Sequence, residues 1–388
     1  MPIVNRFADF HADIVAWRHD LHEHPELLYE VHRTAATVAD RLREFGVDEV
    51  TTGIGRTGVV GVIRGRKTTS GKVIGLRADM DALPIAEKTA KPYASTVPGM
   101  MHACGHDGHT AMLLGAARYL AETRNFDGTA VVIFQPAEEG GGGGKAMVAD
   151  GLMDRWNIHE VYGMHNLPGL PAGKFATRPG PIMASTDEFT ITITGRDGHA
   201  ARPHTTIDPI VVGAGLVNAL QTIVSRNVDP LDAAVVSVTR FHAGTAYNVI
   251  GETAEIAGTV RCLSDGVRDL VEKRIGEIAK GIAMAHGAAV HLFYDRNYPV
   301  TRNDPAATGF AAVIAGQVAG ASNVATDAPP LLAGEDFSYM LEQRPGAFMF
   351  IGNGASAGLH SASYDFNDEI IPIGCSYWAR LVETAMPA

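Results

Sequence analysis

The chain is poor in cysteine, with only Cys104, Cys262 and Cys375 in 388 residues. Three scattered thiols exclude a disulfide framework, and a single cysteine in each region excludes a structural Cys₄ zinc site. Basic runs are also missing. With a formal net charge of -11 and no cluster of Lys and Arg, nothing here would displace counterions from a polyanion, so nucleic acid is not an expected partner. No segment approaches the roughly 18 consecutive apolar residues of a membrane span, so no membrane partner is expected either. The N-terminus carries acidic residues and histidines where a signal peptide needs an apolar stretch, and the cytoplasm is the expected compartment. Tandem repeats and low-complexity linkers are absent.

What is present describes an ordinary folded protein: 46% of residues are hydrophobic and 19% charged. The length exceeds that at which a single core stops growing, so two domains are expected. Of the 43 glycines, five form the run 140–144 directly after Glu138 and Glu139, where glycine permits backbone approaches that a side chain forbids.

Apolar spacing predicts helices over 10–28 and 34–45, then strands at 59–63, 73–76, 130–134 and 161–164 alternating with helices at 110–122 and 145–150. That alternation predicts an α/β sheet, in which ligands bind beyond the carboxyl ends of strands. Asp79, Asp81, Glu138, Glu139 and His165 each follow a predicted strand and so converge on one rim. The pattern changes near residue 185. Strands at 189–194, 234–241, 254–261 and 289–293, with helices at 207–223 and 265–286, predict a compact α+β unit with its own core. Beyond Pro299 come a helix over 305–319, an acidic loop at 334–336, a strand at 347–351 and a closing helix from Gly374. The expected organisation is one discontinuous domain, 1–185 with 298–388, interrupted by an insert at 186–297.

Chemistry concentrates in MHACGHDGHT at 101–110, which holds one cysteine and three histidines. A lone buried Cys or strand-end His is ordinarily structural. Here Cys104 and His106 precede a helical run and are accompanied by the Glu138–Glu139 pair, His165 and His360. Thiolate, imidazole and carboxylate together suit Zn²⁺ and similar transition ions rather than Ca²⁺ or Mg²⁺. Adjacent glutamates on extended or turn backbone point different ways, so one can bind metal while the other acts as general base. Asp79 and Asp81 are read as groups that position the ligating histidines. His11, His19, His22, His24, His102, His109, His286 and His291 are left as surface, core or supporting residues. The GxGxxG match at 53–58 precedes a strand where a dinucleotide site needs a helix, and the glycine run lacks the Ser or Thr of a phosphate loop, so nucleotide binding is not expected.

These motifs in this order, with HEHPEL at 22–27, RADMDALPI at 77–85, FQPAEEG at 134–140, GMHN at 163–166, GHAARPH at 198–204 and AGEDFS at 333–338, resemble the amidohydrolase branch of the M20 metallopeptidases. That branch includes hippurate hydrolases, N-acyl-amino-acid amidohydrolases and hydrolases of indole-acetyl amino acids. The resemblance implies an α/β catalytic domain holding two divalent ions (Zn, Mn, Co or Ni), with a mixed central sheet flanked by helices and an inserted α+β lid. It implies Cys104, His106, Glu139, His165 and His360 as metal ligands, the thiolate bridging the ions, and Glu138 as general base. It implies His199 as an oxyanion-stabilising residue, often acting across a subunit interface, and Asn248 and Arg261 as substrate contacts. The partner implied is a small N-acyl amino acid, and the assembly a homodimer or homotetramer formed through the lid. Asp79 stands where other branches have the histidine of a His-x-Asp pair, and Gly251 where related chains have proline. The competing expectation is a metal-dependent binding protein of the same fold without the chemistry.

Overall fold

The computed structural model describes residues 4–388. These divide into two compact units, one of residues up to Ile182 with Arg302–Pro329 and Asp336–Ala388, the other of Met183–Thr301 with Pro330–Glu335. Sequence reasoning left 330–335 in the first unit. It groups with the second because Met183 bridges Leu331, Ala184 N donates to the carbonyls of Leu331 and Ala333, and Thr301 Oγ1 donates to Glu335 O.

The first unit is built on an eight-stranded mixed sheet, in the order Glu49–Ile54, Gly58–Arg64, Thr129–Gln135, Val73–Asp79, Glu160–Pro168, Gly346–Gly354, Phe175–Ala176, Val324–Ala325. Its central strands run parallel: Val73–Asp79 pairs in parallel with both Thr129–Gln135 and Glu160–Pro168, and the latter with Gly346–Gly354. Both faces are covered, so these strands are apolar almost throughout rather than alternating. Ala130, Val132 and Phe134 join the core shared with the helices Arg6–Glu23, His32–Glu44, His106–Thr123, Pro305–Ala319 and Ile371–Ala385. The intervening Val131 and Ile133 are equally buried. Each such buried aliphatic side chain contributes about 1.5–3 kcal/mol. The glycine-rich match at 53–58 is the turn of an antiparallel hairpin joining the first two strands, with Ile54 opposite Gly58, which is why it opens no helix.

The second unit carries a four-stranded antiparallel sheet in the order Ala234–Ala243, Thr253–Cys262, Ser185–Thr194, Ala289–Arg296. The strand Ser185–Thr194 alternates between buried and less buried positions, the signature of a sheet with one solvated face. Phe189, Ile191 and Ile193 pack against Leu216, Leu220, Val271 and Ile275 of the helices Pro209–Arg226 and Asp265–His286. The helix Pro209–Arg226 is long and apolar enough to cross a membrane by length and composition. Its stripe of Val212, Leu216, Leu220 and Ile223 is buried within this unit's core, and Asp208 caps it by accepting from Ile210 N.

Candidate metal centre

Three parallel strands end where chemistry is needed. Val73–Asp79 delivers Asp79 and then Asp81, Thr129–Gln135 leads into Glu138 and Glu139, and Glu160–Pro168 carries His165 itself. The helix His106–Thr123 begins beside them, with Gly105 as its left-handed N-cap at φ 89°. Only glycine fits there, since an added Cβ would lie 2.2 Å from Asn166 Nδ2 and 2.5 Å from Tyr364 Oη.

Donor atoms of Cys104, His106 and Glu139 lie within 4.8 Å of one another. Cys104 Sγ is 3.4 Å from His165 Nε2. Glu139 Oε1 is 3.2 Å from His360 Nε2 and 4.0 Å from His106 Nε2. Cys104 and His360 thus share one neighbourhood through Glu139, and His360 N donates to Ala103 O at 2.8 Å. His360 adopts φ 61°, a conformation uncommon for a residue with a side chain.

Hydrogen bonding sorts the histidines. His106 Nδ1 donates to Asp81 O at 2.8 Å, and His165 Nδ1 donates to Asn166 O at 2.6 Å. Each ring thereby turns its Nε2 toward the cluster, and the buried His106 Nε2 has no hydrogen-bond partner. A ligating imidazole is prepared in this way, its other nitrogen fixed by a carbonyl or carboxylate. His109 belongs to the same His/Asp cluster but is differently engaged. Its Nδ1 donates to Asp79 Oδ1 at 2.6 Å and its Nε2 accepts from Asn166 N at 2.9 Å. Both nitrogens are taken, so His109 braces Asp79. Sequence reasoning left it among surface, core or supporting residues, although its spacing three residues after His106 on one helix was a signal for the last.

Asp81 holds the glutamate pair from below, accepting from Glu138 N at 2.9 Å and Glu139 N at 3.1 Å. Asn166 was also missed. Its Nδ2 donates to Cys104 O at 2.6 Å, and its Oδ1 accepts from Tyr364 Oη at 2.8 Å.

The electrostatics favour a cation. Burial and the charges of Glu139, Glu138 and Asp79 push the Cys104 thiol well above its ordinary range. For His106, burial opposes protonation, but Asp79, Asp81 and Glu139 outweigh it and hold the ring up to about 10. Burial, with His109 beside it, drives His165 the other way. A group of buried carboxylates around a thiol is a negative pocket, and a divalent ion placed in it would reverse the thiol's balance. The soft and borderline donors, with a buried imidazole Nε2 that makes no hydrogen bond, fit a transition ion.

The other three predicted residues belong to the second unit. His199 and Asn248 come together there: the strand Gly198–His199 pairs with Val249–Ile250, and Ala200 N donates to Asn248 O at 3.0 Å. His199 is exposed, and its Nδ1 accepts from Ala201 N at 3.0 Å. Arg261, half-buried on Thr253–Cys262, lies opposite Thr186 and donates to Val260 O at 2.9 Å.

Fold and cluster together define an α/β protein with a dinuclear metal-binding site. A model of peptidase family M20/M25/M40 matches residues 75–384, and the chain belongs to that family. It is 45% identical to a hippurate hydrolase of Campylobacter jejuni over 98% of both chains. It is 39% identical to an N-acetylcysteine deacetylase of Bacillus subtilis over 96% of both. Among solved structures, an aminohydrolase from methicillin-resistant Staphylococcus aureus superposes with a TM-score of 0.92 at 34% identity, covering 99% of each chain. A dinuclear metal-binding M20 peptidase from Bacillus subtilis gives 0.86 at 35% identity, covering 98% of this chain and 99% of its own.

Proposed function

We propose that this chain is a metal-dependent amidohydrolase of the M20 amidohydrolase branch that cleaves N-acyl amino acids to a carboxylic acid and a free amino acid. The observation that carries the reading is the convergence of Cys104, His106 and Glu139, with an unpartnered imidazole nitrogen among them, directly beside a second buried glutamate, Glu138. Similarity to proteins named hippurate hydrolase, N-acetylcysteine deacetylase and N-acetyldiaminopimelate deacetylase supports an acylated amino acid as substrate. Hippurate carries a benzoyl group and the other two names an acetyl group, and an IAA-amino acid hydrolase of Arabidopsis thaliana is also similar, so benzoyl, acetyl and indole-acetyl conjugates are all in the tested class.

In this reading Cys104, His106, Glu139, His165 and His360 hold two divalent ions. Such ions supply Lewis acidity, bringing the pKa of water towards about 7 and favouring charge on the carbonyl oxygen. Glu138 takes the proton of the attacking water and returns it to the leaving amine as the C–N bond breaks. His199 donates a hydrogen bond to the developing oxyanion. Arg261 pairs with the substrate α-carboxylate through its planar fork, and Asn248 contacts the same substrate. The second unit acts as a lid and as the surface for a homodimer or homotetramer. The exposed Ile210, Val211, Phe241, Tyr247 and Val249 of that unit support such a role.

Glu138→Gln tests the base. The variant is expected to lose at least about a hundredfold in turnover while taking up metal like the parent. Release of free amine from a panel of acyl amino acids, with metal content measured in parallel, reads both. Full turnover by this variant removes Glu138 from the role.

A further inference from the structure

A second buried network lies behind the cluster and is absorbed by none of the roles above. Arg77 is fully buried on the strand Val73–Asp79. Its Nη1 donates to Asp79 Oδ2 at 2.8 Å, its Nη2 to Asp336 Oδ1 at 3.1 Å, and its Nε to Gln135 Oε1 at 2.9 Å. Asp336, also fully buried, accepts further from Gln135 Nε2 at 2.7 Å and from Gly144 N at 2.7 Å.

Three charged groups in a dry interior give up favourable hydration, and apolar residues of similar volume often serve a fold as well. The network's connections show what the charges add. Asp79 ends at the histidines: its Oδ1 holds His109, and its Oδ2, the oxygen paired with Arg77, stands 3.7 Å from His106 Nε2. Asp336 reaches the other arm. The segment 135–144 that presents Glu138 and Glu139 is gripped at its start through Gln135, in its middle by Asp81, and at its end by Asp336 on Gly144. A Cβ on Gly144 would lie 2.7 Å from Asp336 O, so the end of the glycine run is shaped for this approach.

We propose that Asp336 and Arg77 are positioning residues that fix the imidazole arm of the metal centre, through Asp79, relative to the glutamate arm, through Gln135 and Gly144. This inference rests on the cluster being a metal site. It assigns a task to the acidic loop at 333–338 and to the arginine of RADMDALP.

The test is ion retention by the full-length protein loaded with Zn²⁺ and challenged with a chromophoric chelator, with the visible d–d bands of the Co²⁺-loaded protein as a second reading. Asp336→Asn keeps the shape and removes the charge. It is expected to retain ions about 10–100-fold less tightly and to show altered Co²⁺ bands, while circular dichroism of the metal-free variant matches the parent. Gln135→Met, which removes an uncharged bridge, is expected to act in the same direction and decides the matter if metal-free Asp336→Asn does not fold. Parent-like retention and Co²⁺ bands in a folded Asp336→Asn, or in Gln135→Met where that variant must decide, overturn the inference and leave the metal site standing. A parent chain that takes up neither ion overturns both.

Discussion

His22 shows how far a single buried residue depends on its partner. It is almost wholly buried, with Nδ1 donating to Asp107 Oδ2 at 2.8 Å, and Arg18 donates to the same oxygen at 3.1 Å. Burial opposes the charged imidazole, but the Asp107 carboxylate outweighs it and His22 is held up to about 9. A raised pKa in the folded state means that the proton stabilises the fold. The contribution is complete below the unfolded value of about 6.5 and disappears as pH rises through about 9. The melting temperature of the parent is therefore expected to exceed that of His22→Gln most at pH 6 and by a shrinking margin towards pH 10. A margin that stays constant across this range contradicts the pairing.

At the scale of elements, the strand ends and the braces Asp79 and Asp81 were legible and the remaining braces were not. Apolar runs bounded by polar residues marked the strands Val73–Asp79 and Thr129–Gln135, and their carboxyl ends carry Asp79 and the glutamate segment as expected. The helices Asp265–His286 and Pro305–Ala319 also lie where the spacing put them. The side chains of Cys104, His106, Glu139, His165 and His360 lie in one neighbourhood. The strand Glu49–Ile54 escaped notice because its polar and glycine residues carry little alternation and it gains its place by pairing with Gly58–Arg64. Asn166, Tyr364, Arg77 and Asp336 escaped because their roles come from contacts between residues as far as 259 positions apart, which no local pattern encodes. The helix start at Gly105 offers a test at this scale. Gly105→Ala places a methyl group against Asn166 and Tyr364 at a positive φ. A loss of about 2 kcal/mol or more is expected from strain and overpacking, measured by chemical denaturation. Because Asn166 also holds the Cys104 carbonyl, metal content is expected to fall with it. Unchanged stability would show that the turn relaxes freely.

At the scale of the molecule, the proposed ligands, drawn from residues 104 to 360, come together only in the folded chain. Ion binding is therefore linked to folding, and saturating metal raises the melting temperature while a chelator lowers it. The most direct measurement strips the protein with a chelator, restores Zn²⁺, Mn²⁺, Co²⁺ or Ni²⁺ stepwise, and follows release of free amino acid from hippurate, N-acetyl and indole-acetyl amino acids. The account predicts no release from the stripped protein and recovery on at least one conjugate that saturates at two ions per chain. Undiminished hydrolysis after stripping, or failure of every conjugate at full metal loading, would contradict it.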